Sequence, residues 1–430
     1  MSLTVGQRKT FAVTWITYAG FYLCRKNLSI VLPLLAGVGG LRSIQLANIV
    51  FGYSLLYAIG QFGFGFLSDR IGPKRVVGAG LLLIVGSNLM MGLHASLMWL
   101  LLFACLNGVG QSTGWSGLVK TMANWFSYKN RGIVMAWWGT NYVLGGFLAT
   151  TFATWAVAEH SIWPQLGWSR GFLFPALLLS VIAMVFLVYV KDTPSETSYL
   201  VGQPEGTPSA DSDRTSWTDL KILLGKPSLW TIGISYFFLE LCRYGLMFWL
   251  PYYMVRQLRY GLGTAGYLSS LYELVGIAGA LLAGYVSDRF NQSRRAPVSA
   301  VMLCGLGLVL LFQPVFARSG LAGIGLAVSL AGFLSYGPDT LLSGAAAQDV
   351  GETRSAATAS GLIDGTGHLG ALFSPYVVIT ISERFGWDRL FLVFAAIAFL
   401  AGLVLLPLWN LKGSTEANHR FHEPAMQETL

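Results

Sequence analysis

Apolar runs of about twenty residues recur along the whole chain, and this recurrence restricts the fold more than any other feature. Each run is long enough to cross a hydrocarbon core of about 30 Å as an α-helix. Twelve can be marked, at residues 10–36, 44–68, 76–95, 97–125, 131–158, 170–190, 227–257, 262–288, 297–316, 319–346, 353–383 and 388–411. A helix satisfies its backbone polar groups within itself, which lipid demands of any lone spanning segment. Charged residues make up only 11% of the 430, where a soluble domain carries about 25%. The chain therefore reads as an all-α membrane protein with twelve transmembrane helices.

The net charge of +8 does not point to nucleic acid, because its distribution follows membrane topology. With the N-terminus inside, the cytoplasmic segments hold eighteen Lys and Arg and the outer loops seven. That asymmetry is the positive-inside rule, and it places both termini in the cytoplasm. The first apolar run carries charges in its middle and does not read as a cleavable signal peptide. Cys24, Cys105, Cys242 and Cys304 all fall within apolar runs without metal-ligand spacing, so they read as small packing residues. No Walker or Rossmann fingerprint is present. No metal, cofactor or set of nucleophile, base and orienter is expected, which excludes an enzyme.

Residues 191–226 are polar and rich in Pro, Gly, Ser and Asp, the composition of a linker. They divide the runs six and six: an N-terminal bundle (1–190), the linker, a C-terminal bundle (227–411) and a polar tail (412–430). The halves then align. GFLSDR (65–70) matches GYVSDR (284–289) and LGWSRGF (166–172) matches FGWDRLF (385–391), both at a shift of 219. Cys24-Arg25 matches Cys242-Arg243 at a shift of 218. Three landmarks at nearly one offset indicate a duplicated six-helix unit.

Arg25 in the first run and Arg243 in the seventh are therefore equivalent positions. A guanidinium mid-membrane costs roughly 2.5–3.5 kcal/mol even on lenient insertion scales, so each needs a use or a partner. Duplication predicts that they face each other across a central cavity. A small dianion between them would remove their repulsion and accept bidentate hydrogen bonds, which the planar guanidinium fork suits better than an ammonium does. The other reading pairs each Arg permanently with a buried acid, for which Glu240 and Glu273 are available. Lys26 points about 100° away from Arg25 around the helix. It needs its own partner, Glu273 or Glu240, in an ion pair that breaks and reforms as the halves rock. Asp339 and Asp364 are intramembrane acids that could line the path, cap a helix broken at Gly337 and Pro338, or carry a proton.

At YAGFYLCRKN (18–27), RYGLMFWLPYY (243–253), YELVGIAG (272–279), SYGP (335–338) and IDGTG (363–367) the chain resembles the organophosphate:phosphate antiporters of the major facilitator superfamily. These include glycerol 3-phosphate, hexose phosphate and sugar-phosphate exchangers. The stretch GFLSDRIGPKR (65–75) resembles the superfamily's loop motif, whose Asp and basic residues latch neighbouring helix ends. The resemblance implies the major facilitator fold of two pseudo-symmetric bundles with a substrate site at their interface. It gives Arg25 and Arg243 the phosphoryl group, and Asp69 and Asp288 gating roles. Tyr18, Tyr22, Tyr57 and Tyr336 fall where the bacterial carriers have cavity tyrosines; interhelical packing is the alternative for each. Gln61 stands where the bacterial carriers have a Lys. Tyr142 aligns with a His of those carriers while His368 replaces a Tyr, which suggests one cavity imidazole moved to the eleventh helix. Phe248 replaces an Asp that could have paired with Lys26.

The expected function is exchange of inorganic phosphate for a small phosphorylated metabolite by alternating access. The loaded Arg25–phosphate–Arg243 bridge would lower the barrier to rocking, which makes exchange obligatory. The protein is expected as a monomer in a lipid bilayer, a bacterial inner membrane in preference to an organelle. The rivals are a proton-coupled organic-anion symporter and a membrane receptor that senses sugar phosphate.

Overall fold

The computed structural model describes residues 3–126, 128–158, 162–193, 217–290 and 294–411. Most of the expected linker and the whole 412–430 tail lie outside the described residues, as does the side chain of Asp69. The described chain is helical throughout, without a strand. Twelve helical segments follow the twelve apolar runs: α1 (Val5–Val38), α2 (Ser43–Ile71), α3 (Pro73–Met91), α4 (Leu97–Trp125), α5 (Tyr128–Val157), α6 (Arg170–Tyr189), α7 (Pro227–Arg256), α8 (Leu262–Arg289), α9 (Arg295–Leu311), α10 (Gly320–Thr340), α11 (Ala347–Phe385) and α12 (Trp387–Val404).

Eight of these spans are long and apolar enough to cross a membrane on length and composition alone. Among the other four, α7 carries Glu240 and Arg243, and α11 carries Asp364 and His368. Polar side chains lower the hydropathy of a helix that lines something other than lipid. Helix ends overrun the apolar runs where local chemistry supports them. At the start of α1, Thr4 and Gln7 form a reciprocal capping box, which carries the helix several residues upstream of its apolar part.

Three helices depart from the regular ladder. In α1, Tyr22 separates Val5–Phe21 from Leu23–Val38. The Arg25 amide donates to the Tyr22 carbonyl at 3.1 Å instead of to Phe21, so the Phe21 carbonyl loses its helical donor. Gln111 Nε2 on α4 replaces that donor at 2.8 Å, and Asn107 Nδ2 donates to the Cys24 carbonyl at 2.9 Å. In α4, Thr113 interrupts the helix between Ser112 and Gly114. In α10, Pro338 precedes a widened π turn over Leu341–Ala346. Proline removes a helical donor and crowds the preceding turn, and such local widening is frequent at functional sites.

Close helix approach rests on glycine at two places. A Cβ on Gly108 of α4 would sit 3.2 Å from the Tyr57 amide nitrogen of α2, and one on Gly279 of α8 would sit 2.7 Å from the Phe333 carbonyl carbon of α10. Small residues let transmembrane backbones approach where no hydrophobic force drives helices together. One buried core lies in the N-terminal half around Phe21, Val77, Leu81, Ile84, Leu118, Trp138 and Phe186, with others in the C-terminal half around Leu303 and Ile363 and around Leu341.

Contacts group the chain into two compact units. The first joins Met1–Ser209 with Gly245–Leu274 and Pro375–Trp387; the second holds Ala210–Tyr244, Val275–Ser374 and Asp388–Leu430. The grouping cuts through α7, α8 and α11. Within the first unit, Ser43 and Tyr252 hydroxyls hydrogen-bond at 3.0 Å, and Tyr376 donates to Asn48 Oδ1 at 3.0 Å.

Candidate functional site

In the first unit, Arg25 lies just after the α1 break and is 7% exposed. Its Nε donates to Gln111 Oε1 at 3.1 Å, and its guanidinium carbon lies 4.6 Å from the Tyr22 ring centre and 4.9 Å from that of Tyr57. A cation over aromatic faces is stabilised without being neutralised. Among the described residues no carboxylate pairs with Arg25, and its buried Nη2 has no hydrogen-bond partner. One edge of the guanidinium is thus fixed by Gln111 while the charge stays available to an anion. Permanent pairing with a buried acid is not what holds it.

Lys26, one residue on, is buried and forms an ion pair with Glu273 of α8, itself 3% exposed. Of its two expected partners, Glu273 takes the role. Both groups belong to the first unit. Phe248, which stands at the substituted Asp position, is buried and packs edge-on against Tyr53 at 6.3 Å.

In the second unit, Arg243 has the carboxylate partners that Arg25 lacks. Its Nη1 meets Glu240 Oε1 at 2.7 Å, one turn back on α7, and its Nη2 meets Asp339 Oδ2 of α10 at 3.3 Å. Tyr236 donates to the other Asp339 oxygen at 2.8 Å. Tyr336 places its ring centre 4.7 Å from the Arg243 guanidinium carbon. The two arginines, equivalent in sequence, therefore differ in surroundings: Arg243 is neutralised within its own bundle, and two bare cations are not what the chain builds. Asp339 is a salt-bridge partner rather than a helix cap.

The remaining expected residues divide. Tyr18 is buried in an aromatic cluster with Phe21, Tyr22, Trp115 and Trp138, at 5.2–5.9 Å between ring centres. Tyr57 stacks on Tyr53 at 6.2 Å besides facing Arg25. Gln61 lies one turn beyond Tyr57 on α2, and its amide makes no side-chain hydrogen bond among the described residues. Tyr142 packs against the N-terminal core. His368 uses Nδ1 on the Asp364 carbonyl at 2.8 Å and lies beside Tyr244, 6.4 Å between ring centres. Asp288, at the end of α8, pairs with Arg295, which also reaches Asp349 at 3.4 Å.

Sequence reasoning overlooked Gln111, Asn107, Tyr53 and Tyr236. Asn107 and Gln111 were findable: they are polar, four residues apart and so on one face of an otherwise apolar stretch, LFACLNGVGQ. Spacing of that kind in a membrane helix marks an interhelical hydrogen-bonding face. Tyr236 carries no such signal, because an isolated tyrosine in a membrane helix usually packs.

The model of the Major Facilitator Superfamily matches residues 14–375. A glycerol-3-phosphate transporter of Bacillus subtilis is 29% identical over 426 residues, covering 94% of this chain and 92% of the relative. A probable hexose phosphate transport protein of Chlamydia muridarum is 26% identical, covering 96% and 92%. The membrane sensor protein UhpC of Salmonella typhimurium is 27% identical, covering 96% and 93%. Among solved structures, a bacterial homolog of the human lysosomal transporter Spinster, inward-facing and unoccupied, superposes with a TM-score of 0.77 at 15% identity, covering 95% of this chain and 99% of that one. With twelve helical segments, two halves in sequence repeat and a family match over most of its length, the chain belongs to the Major Facilitator Superfamily.

Proposed function

We propose that the protein exchanges inorganic phosphate for a small organophosphate, a sugar phosphate or glycerol 3-phosphate, by alternating access. The observation that supports this most is the pair of mid-helix arginines at equivalent positions of the repeat. Arg25 keeps its Nη2 without a hydrogen-bond partner among the described residues, beside two tyrosine faces. In this reading Arg25 receives the phosphoryl group first, and Arg243 joins it after releasing one of its carboxylates. Tyr22, Tyr57, Gln61 and Tyr336 offer hydroxyl, amide and ring contacts to the same ligand, while Lys26–Glu273 and Asp288–Arg295 are ion pairs that exchange partners as the bundles rock. The relatives named for glycerol 3-phosphate and hexose phosphate support the substrate class. The protein acts as a monomer in a bacterial inner membrane, with both termini in the cytoplasm.

The test is labelled phosphate uptake into proteoliposomes preloaded with unlabelled phosphate. Fast uptake is expected, competed by one sugar phosphate or by glycerol 3-phosphate, and absent when no counter-substrate is inside. A net phosphate leak from singly loaded vesicles would contradict obligatory exchange. The similarity to a membrane sensor favours one other reading, a receptor for the same ligand; tight binding with negligible turnover by well-folded protein would select it. His368→Phe is expected to alter the pH dependence of exchange. An unchanged profile would confine His368 to its hydrogen bond on α11.

A further inference from the structure

We propose that Asp339 couples substrate to a proton: phosphate displaces its carboxylate from Arg243, the displaced carboxylate takes up one proton, and each phosphate therefore binds together with a proton. The proposal rests on the reading of Arg243 as a phosphate ligand.

Both terminal nitrogens of Arg243 are engaged, Nη1 by Glu240 at 2.7 Å and Nη2 by Asp339 at 3.3 Å. A phosphate that accepts from two adjacent N–H groups needs at least one of those positions. Glu240 is the less replaceable partner. It sits on the same helix at i−3, its contact is the shorter, and it is 1% exposed. Asp339 reaches across from α10, makes the longer contact, and stands directly after Pro338 and two residues before the widened Leu341–Ala346 turn. Its helix is already irregular where movement would be required.

The charge balance supplies the reason for the proton. Arg243 contributes +1, while Glu240, Asp339 and Asp364 contribute −3 when all are ionised, a sum of −2. Asp364 makes no ion pair among the described residues but lies within electrostatic reach of Asp339, Glu240 and Arg243. A dianion bound to Arg243, even with the positive charge of Arg25 that the proposed reading gives it, would bring the sum to −3 in a site shielded from water, where like charges repel strongly. A carboxylate expelled from its guanidinium there has lost its counter-charge, and burial disfavours the charged form. Protonation resolves both problems. Beside this cluster stand Tyr236 of α7, which donates to Asp339, Tyr336, whose ring faces the Arg243 guanidinium, and His368 on α11, whose Nδ1 bonds the Asp364 carbonyl. From α8 and α9 the nearby groups are Gly276, which packs on Tyr336, and Ala283 and Met302, which pack on Gly337; none of them titrates.

The step balances simply. One proton from the water that delivers phosphate adds to the Asp339 carboxylate, and it returns to water when phosphate leaves and Asp339 pairs with Arg243 again. No bond to phosphorus breaks and nothing is oxidised or reduced.

The experiment is equilibrium binding of labelled inorganic phosphate to the full-length protein in detergent between about pH 8 and about pH 9, where phosphate is nearly all dianion. Obligatory uptake of one proton makes the dissociation constant rise about tenfold per pH unit. Wild type is expected to show that slope, Asp339→Asn to be nearly flat and tighter than wild type at the higher pH, and Asp339→Glu to recover the slope. Measurable binding with no slope in wild type would overturn the proposal, as would an Asp339→Asn protein that keeps the slope. Selective binding of the phosphate monoanion would give wild type the same slope, so loss of the slope in Asp339→Asn is the decisive result, with Asp339→Ser as the second variant should Asp339→Asn fail to fold. No phosphate binding at any pH by monodisperse wild type would instead remove phosphate as the ligand.

Discussion

Arg25→Lys is expected to lower phosphate exchange about a hundredfold while leaving the protein folded. Lysine keeps the charge but loses the planar fork, and a charge-assisted hydrogen bond lost from a desolvated site costs about 1.5–3 kcal/mol. The shorter side chain also gives up the contact with Gln111 Oε1 and the stacking on Tyr22 and Tyr57. Because no carboxylate among the described residues pairs with Arg25, nothing there is left unbalanced by the change and thermal stability should stay close to wild type. Arg243→Lys should impair exchange comparably but also lower stability, since one ammonium cannot reproduce contacts with both Glu240 and Asp339. Exchange rates and melting temperatures of the two variants, measured side by side, check this asymmetry. Equal exchange by Arg25→Lys and wild type would remove Arg25 from the substrate site.

Glu273→Gln is expected to destabilise the protein by about 3–5 kcal/mol, the usual penalty for removing one member of a buried pair and stranding the other. Lys26 and Glu273 are 1% and 3% exposed, so water gives little relief. The double variant Lys26→Met with Glu273→Met should recover most of that stability, because the cost lies in the uncompensated charge rather than in the pair's own strength. Thermal unfolding in detergent distinguishes the cases. A Glu273→Gln protein as stable as wild type would mean that the pair contributes nothing to this state.

The fold was legible because its governing signal is coarse. Twenty-residue apolar runs and a 219-residue offset survive any uncertainty in helix ends, and α1 to α12 follow those runs. The arginines were legible for the same reason: a cation in the middle of an apolar run is conspicuous, and a repeated one more so. What surrounds each arginine was not legible. Glu240 is local to Arg243 and could be proposed from its i−3 spacing. Asp339, 96 residues away in sequence, could be seen as an intramembrane acid but not assigned a partner, since only packing of α7 on α10 joins them. The repeat also misled. Equivalent positions suggested equivalent environments, yet from the fourth helix of its own half Arg25 receives the amide of Gln111 while Arg243 receives the carboxylate of Asp339. A duplicated scaffold preserves backbone placement far longer than side-chain chemistry.

The Lys26–Glu273 pair also sets a problem of timing. Its members are separated by 247 residues, and at a synthesis rate of about 5–20 residues per second the lysine precedes its counter-charge by roughly 10–50 seconds. Throughout that interval α1 carries an ammonium whose counter-charge has not yet been made. The first helix to be made is thus left electrostatically incomplete until the eighth has been synthesised.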